Sequence, residues 1–273
     1  MLFLFAMEMT NLQVFLDIAT EAALAAGVIL QDYLGKVEDA ITEKGRPGDL
    51  VTAADQTAEK AILAVINRHF PEHSILAEES GKVGNQTSQY LWVIDPLDGT
   101  TNYTHQYPCF CTSIGLLVEG EPKVGVIYDP LRGELFQAAA GLGATRNRRP
   151  IRVSSTTQLS KSLLTTGFAY DRRETSDTNY PEFCHFTHLT QGVRRGGSAA
   201  LDLAYISCGR VDGYWERGLA PWDMVAGIIL VREAGGKVTA YNGSDLQIDS
   251  GRILATNSYL HQVISEELMQ VNR

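Results

Sequence analysis

The stretch LWVIDPLDGTTN, residues 91–102, decides how this chain is read. Its first four residues form an apolar run that predicts a short buried strand, which the Asp95-Pro96 pair is expected to end. Pro96 has a fixed φ and no N–H, so Asp95 is held extended. Leu97, Asp98, Gly99 and Thr100 then make a turn whose backbone can face a ligand. Gly99 lets an anion approach the main chain, and amides opening a helical turn favour phosphate. Two carboxylates converging on one turn repel each other unless one is protonated or a cation lies between them. Mg2+ suits such oxygen donors, because it takes one or two carboxylates and keeps water or substrate phosphate as its other ligands. A plainer reading stands beside this one: Asp and Gly are common turn formers, and both acids would then merely accept backbone N–H bonds.

Working outward, the flanking pattern is one of layers. Residues 11–34 carry helical spacing (Val14, Phe15, Ile18, Ala22, Ala25, Leu30) and end at Gly35. A short β segment with GRPGD (45–49) as its turn comes next, then a helix over 52–70 and a strand over 74–77 running into Glu78 and Glu79. After the 91–102 stretch, TSIGLLV and KVGVIYD around EGEP read as a hairpin, ELFQAAA continues the sheet, and GLGATRNRRPIRV adds another turn and strand. The second half alternates: a strand at SLLTTGF, a helix over 198–208, a strand at VDGYWE, a helix over 222–234 and the strand KVTAY. Such alternation predicts a layered α/β or α+β protein with helices packed on sheets. No linker appears, so the chain reads as one domain over 1–273, with two lobes meeting near 150–160.

Composition narrows the function classes. A chain of 273 residues that is 44% hydrophobic can bury a substantial core. A net charge of −9 argues against broad nucleic-acid or anionic-membrane binding and is compatible with clustered acids around a metal. The four cysteines (Cys109, Cys111, Cys184, Cys208) form no CxxC, so a reducing, cytoplasmic compartment is expected. MLFLFAMEMT lacks a basic start and is interrupted by Glu8, making a poor signal peptide, and Met7 and Met9 offer alternative starts.

Further acids fall at element ends: Asp49 and Asp55 around LVTAA, Glu78-Glu79 after SILA, and Asp223 after APW. Each has an ordinary explanation. Thr52 to Asp55 fits a capping box, Asp223 sits in a helical first turn, and the Glu pair suits a solvated strand end. Spacing alone leaves open whether they converge.

The chain resembles the inositol monophosphatases of the magnesium-dependent, lithium-sensitive phosphatase superfamily. The matching blocks are DLVTAAD (49–55), AEES (77–80), WVIDPLDGTTNY (92–103), GGSAALDLAYISCGRVDGYWE (196–216) and PWDMVAGIILVREAGG (221–236). They occur in family order and cover most of the chain. The resemblance implies an αβαβα sandwich of the sugar-phosphatase type and a homodimer. It implies a first Mg2+ on Glu78, Asp95 and the Leu97 carbonyl, and a second on Asp95, Asp98 and Asp223. A third, weaker ion near Glu78 would bind largely through water. Gly99 and Thr100 amides would meet the phosphate, and Thr100 with Asp55 would orient the attacking water. Gly197, Ser198, Ala199 and Glu216 would hold inositol hydroxyls, with Lys44 and Asp49 in support. Leu97 replaces the usual Ile and Ser198 a common Thr. The implied reaction is hydrolysis of myo-inositol monophosphate by water at a two-metal site.

Competing readings are set against this. A haloacid-dehalogenase-type DxDGT places its acids two apart, whereas Asp95 and Asp98 are three apart, which on an extended chain turns the second away. Cys109 and Cys111 flank Phe110 in an expected strand and read as packing groups. HFTH (185–188) has metal-like spacing but is expected in a polar loop. Arg194 and Arg195 suit either substrate attraction or solvent, and Trp92, Trp215 and Trp222 read as packing groups. Fructose-1,6-bisphosphate, histidinol phosphate and 3′-phosphoadenosine 5′-phosphate are substrates of relatives, and a regulatory protein-binding role is the reading from another class.

Overall fold

A computed structural model describes residues 2–36, 42–43, 50–85 and 87–271. Lys44, Asp49 and the GRPGD turn lie outside the described residues. Helix α1 (Leu2–Tyr33) begins earlier than the spacing indicated. Its part Asn11–Tyr33 is long and apolar enough to cross a membrane by length and composition. In the fold one face of it packs inward, with Leu12, Phe15, Ala19, Ala22, Ala26 and Leu30 buried in the core, while Val14, Leu24 and Val28 are exposed. Strands β1 (Thr42–Glu43) and β2 (Leu50–Val51) pair antiparallel and lead into α2 (Ala53–His69). Thr52 caps α2, its hydroxyl accepting from the Ala54 N–H at 3.1 Å while Asp55 reaches back to the Thr52 N–H.

The larger sheet contains β3 (Ser74–Ala77), β4 (Gly81–Gly84), β5 (Tyr90–Asp98), β6 (Cys111–Val118), β7 (Glu121–Asp129), β8 (Glu134–Ala139), β9 (Gly143–Arg146) and β10 (Arg149–Pro150). Their order is β10-β9-β8-β7-β6-β5-β3-β4. Only β3 and β5 run parallel; the other pairs are antiparallel. A short helix α3 (Thr100–Thr104) separates β5 from β6. The second sheet draws on β11 (Leu163–Thr166), β12 (Gly192–Arg194), β13 (Gly213–Glu216), β14 (Lys237–Thr239) and β15 (Ile253–Thr256), in the order β12-β11-β13-β15-β14. Helices α4 (Tyr180–Leu189), α5 (Ala199–Ser207), α6 (Pro221–Glu233) and α7 (His261–Val271) complete the chain.

The layers follow from which faces are apolar. Helices α1 and α2 pack on one face of the larger sheet, α5 and α6 lie between the sheets, and α4 and α7 cover the far face of the smaller one. This is the expected αβαβα sandwich. Helix α6 approaches the larger sheet unusually closely, because a Cβ at Gly115 would lie 2.4 Å from Val225 and one at Gly125 would lie 2.4 Å from the Ala226 carbonyl. Strand β13 is covered on both faces. Tyr214 packs toward α5 and α6, while Trp215 packs toward α4 and α7, and both are fully buried. Burying such a side chain stabilises by roughly 1.5–3 kcal/mol. By the same alternation Glu216 shares the inner side with Tyr214, and Arg217 follows just past the end of the strand.

Two local expectations are corrected. The Asp95-Pro96 pair does not end its strand, because β5 runs on to Asp98. HFTH lies within α4 rather than in a loop, where Phe186 is buried and His185 meets Glu267 of α7. Strand β4 has no apolar alternation to announce it; its backbone is recruited by pairing with β3.

Candidate active site

The site begins with a defect in β5. Asp95 faces Ser113 across the ladder and Asp98 faces Cys111, so three steps on β5 match two on β6. One residue is therefore extra, a β-bulge, at the place where Pro96 cannot donate to the ladder. On a regular strand, residues three apart point to opposite faces; the bulge cancels that and turns both acids to one side. Two hydrogen bonds hold it: Leu97 N–H donates to Asp95 Oδ1 at 3.0 Å, and Thr112 Oγ1 donates to the Pro96 carbonyl at 3.0 Å.

Neighbouring elements deliver the other acids. The parallel register pairs Ala77 with Ile94, so Glu78, whose N–H donates to the Ile94 carbonyl at 3.1 Å, comes alongside Asp95. Asp223 sits in the first turn of α6 and accepts from the Ala220 N–H at 2.7 Å. Carboxylate oxygens of Asp95, Asp98 and Asp223 lie within 4.8 Å of one another. Thr100 Oγ1 lies 3.2 Å from Asp55 Oδ1 and 3.1 Å from the Leu97 carbonyl. Gly99 precedes α3 in the left-handed region (φ 98°), and a Cβ there would come within 2.9 Å of the Cys109 carbonyl. Glu78, Asp95, Asp98, Thr100, Trp222 and Asp223 are among the residues lining a cavity of about 240 Å³.

The electrostatics are adverse without a partner. Burial, followed by the charges of Glu78, Asp98 and Asp223, raises Asp95 well above the carboxylate range. Burial and Asp98 do the same to Asp223. Burial also raises Asp98 to about 6, even though Ser198 Oγ and the Ala200 N–H both donate to it at 2.7 Å. Asp55 rises to about 6 chiefly through burial. Among the described residues no Lys or Arg lines this cavity. Hard oxygen donors on three elements, mutually repelling and uncompensated, fit a divalent cation of the Mg2+ type.

A second, narrower cavity of about 90 Å³ adjoins the first through Asp98 and Asp223. Gly197, Ser198, Ala199 and Glu216 line it, as do Arg195 and Asp202. Tyr214 Oη donates to Glu216 Oε2 at 2.6 Å. Burial pushes Glu216 up to about 7, opposed by the Tyr214 hydrogen bond and the Arg195 charge. Arg195, though exposed, thus lines the site, whereas Arg194, exposed on β12, is not among its lining. A larger groove of about 720 Å³ lies elsewhere, with Leu76, Leu117 and Ile228 among its lining, and among the described residues no group of acids with metal-ligand spacing lies there.

The remaining candidates separate cleanly. Burial raises the Cys109 thiol to about 12 and Cys111 well above its ordinary value, so both are protonated packing groups rather than nucleophiles. His185 Nε2 lies 2.6 Å from Glu267 Oε2, which ties α4 to α7 away from the acids. Trp92 and Trp215 are core residues, but Trp222 also lines the acidic cavity while its carbonyl accepts from Ser113 Oγ at 3.2 Å. Asn102 and Glu59 are among the residues that had no assigned part in the sequence reading. Asn102 Nδ2 donates to the carbonyls of Cys109 (2.6 Å) and Gly196 (2.9 Å), tying the Gly197 loop to the bulged turn. Buried Glu59 accepts from the Glu79 N–H at 2.9 Å and so fixes the backbone beside Glu78. Asn102 closes the quoted stretch, so its position was visible; Glu59 is an acid on the inner face of α2, a faint signal.

The model of the Inositol monophosphatase family matches residues 11–273. The inositol-1-monophosphatase of Synechocystis sp. is 62% identical over 259 residues, covering 95% of this chain and 90% of that one. The Nus factor SuhB of Escherichia coli is 42% identical over 245 residues, covering 89% and 91%. The solved inositol monophosphatase of Anabaena (Nostoc) sp. superposes with a TM-score of 0.88 at 69% identity, covering 95% of this chain and 97% of the other.

Proposed function

The chain belongs to the inositol monophosphatase family, and from that premise we propose that it hydrolyses the phosphate ester of myo-inositol monophosphate in a Mg2+-dependent reaction. The observation that carries this reading is the trio of buried Asp95, buried Asp98 and half-buried Asp223, with no Lys or Arg lining their cavity among the described residues, opening directly onto the pocket of Glu216. Glu78, Asp95 and the Leu97 carbonyl would hold one ion, Asp95, Asp98 and Asp223 another, and a third would sit near Glu78 mainly through water. When bound, the ions supply Lewis acidity, which neutralises phosphoryl charge and acidifies water at neutral pH.

The chain's own groups orient the reactants. Asp55 draws the Thr100 hydroxyl proton toward itself, which leaves a Thr100 lone pair to accept from the attacking water and aim it in line. Gly99 and Thr100 line the cavity where phosphate would lie, and their amides would meet it. Glu216, with Tyr214 donating to one oxygen, keeps the other for a ring hydroxyl, beside the backbone of Gly197, Ser198 and Ala199. Lys44 and Asp49 are assigned supporting roles. The chain works as one domain, since Asp95 belongs to the larger sheet, Glu216 to the smaller, and Asp223 to the helix between them. The compartment is the cytoplasm and the assembly a homodimer, which light scattering would test.

The deciding experiment is phosphate release from inositol 1-phosphate, fructose-1,6-bisphosphate, histidinol phosphate and 3′-phosphoadenosine 5′-phosphate, with and without Mg2+. A Mg2+-dependent preference for inositol 1-phosphate is expected. Preference for another ester would overturn the substrate, and full turnover in excess chelator would overturn the metal reaction. A second reading, a regulatory binding role on the same fold, draws on the relative named Nus factor SuhB. An Asp95→Asn chain that lost phosphatase activity but kept the cellular phenotype would favour it.

A further inference from the structure

Residues 167–179 leave β11 and return to the start of α4 as a compact loop whose ends meet. Asn179, only 2% exposed, closes it: Nδ2 donates to the Gly167 carbonyl at 2.6 Å and to Thr166 Oγ1 at 2.8 Å, while Oδ1 accepts from Trp215 Nε1 at 2.7 Å. The loop packs on the start of α4 through Phe168, whose ring lies 5.0 Å from Tyr180 and 5.7 Å from Phe183. Loops of this closed kind are frequently functional. Here Tyr170, near its start, lines both the acidic cavity and the Glu216 pocket, and so stands in the wall between them.

Between its ends the loop is held by a charged side chain that makes two of its contacts. Arg217, 8% exposed, makes a bidentate pair with Asp171, Nη2 to Oδ1 at 2.7 Å and Nη1 to Oδ2 at 3.1 Å. Its Nε lies 3.4 Å from Asp177 Oδ1, and Arg252 also pairs with Asp177. Bidentate geometry makes such a pair directional as well as attractive. Gly218 adds a steric condition: with φ 77°, its missing Cβ would stand 2.5 Å from the Ala169 Cβ, so any side chain would push the loop off. Arg217 follows Glu216 just past the end of β13, so one carboxylate lines the alcohol pocket while the next side chain pairs with the loop.

We propose that Arg217 is a positioning residue for the alcohol half of the substrate: it pins residues 167–179 so that Tyr170 remains in the wall between the two cavities, and thereby sets which alcohols fit beside Glu216. This rests on the polyol-phosphatase reading above and assigns Arg217 no contact with the reacting atoms. Loss of the pin widens the alcohol pocket without touching the acids, so ring binding suffers and chemistry on a small ester does not.

The test uses the full chain. Arg217→Met is expected to raise KM for inositol 1-phosphate about tenfold with kcat held within about twofold, and to leave kcat/KM for 2-glycerophosphate, which has no ring, unchanged. Arg217→Lys, which keeps a cation within reach of Asp171, restores most of the affinity. Independently of turnover, amide exchange over residues 168–178 in the Arg217→Met chain should quicken about tenfold. Asp171→Asn, on the more exposed partner, shifts both readouts the same way by less and serves if Arg217→Met does not fold. Equal losses on both esters, or unchanged loop exchange, would overturn the pin. A wild-type chain inactive on both esters would overturn the functional reading instead, and the exchange measurement would still decide the pin.

Discussion

The carboxylates of Asp95 and Glu216 are both buried, yet their surroundings differ in kind. Asp95 has the Leu97 N–H as a donor and three like charges pressing on it. Glu216 has a tyrosine hydroxyl at 2.6 Å, with the charges of Arg195 and Arg217 opposing the effect of burial. Among the described residues one side of the cleft is thus short of positive charge, which suits the proposed cation; the other is nearly satisfied, which suits the proposed hydroxyl. Burial alone does not tell a metal ligand from a substrate ligand. The partners already in place do.

Breaking the first side should cost most. Asp95→Asn is expected to lower kcat on the order of 10³-fold or more. The metal-free variant should melt no lower than wild type, because one repelling charge has gone. A residual activity above a tenth of wild type would remove Asp95 from the metal site. Thr100→Val, which keeps the shape and deletes the hydroxyl facing Asp55, should cost about 10²-fold in kcat with little change in KM; a loss confined to KM would mean that Thr100 binds rather than orients.

The comparison sharpens with pH. Asp98 and Asp55 rise from 3.8 to about 6 and Glu216 from 4.5 to about 7, so the folded chain holds more protons than the unfolded one across this window. Stability of the metal-free protein is then full below the unfolded values and falls as pH rises through the folded ones. The melting temperature in chelator should drop between about pH 4 and pH 7, and Mg2+ should flatten that slope on the Asp side. A melting temperature that climbs through this range would contradict the assigned burial. The smallest effect is expected from Ser198→Thr, which keeps the hydroxyl that donates to Asp98 at 2.7 Å. Inositol 1-phosphate kinetics should stay within about threefold, and a larger change would mean that the added methyl reaches the alcohol pocket.

How much of this was legible in advance varies with the range of the interaction. The helix over 52–70, the hairpin around EGEP and the strand VDGYWE were readable because their signals, apolar period and turn residues, lie within a dozen positions. HFTH was misread because its helix is stabilised from outside, by Phe186 in the core and by Glu267 on α7. Strand β4 was missed for the same reason, since a GKVG segment is a strand only when β3 supplies its ladder.

By itself the sequence determined the chemistry available: carboxylates at strand and helix ends, a glycine before Thr100, and an alternation that packs helices on sheets. It even contained the cause of the bulge, because Pro96 removes a ladder donor inside β5. Tertiary structure alone decided that Asp95 and Asp98 face the same way, that the parallel register of β3 on β5 sets Glu78 beside them, and that α6 brings Asp223 within 4.8 Å. The physical reason is separation along the chain. Residue type is local, but convergence of residues 78, 95, 98, 216 and 223 depends on sheet register and helix packing, which are properties of the whole core.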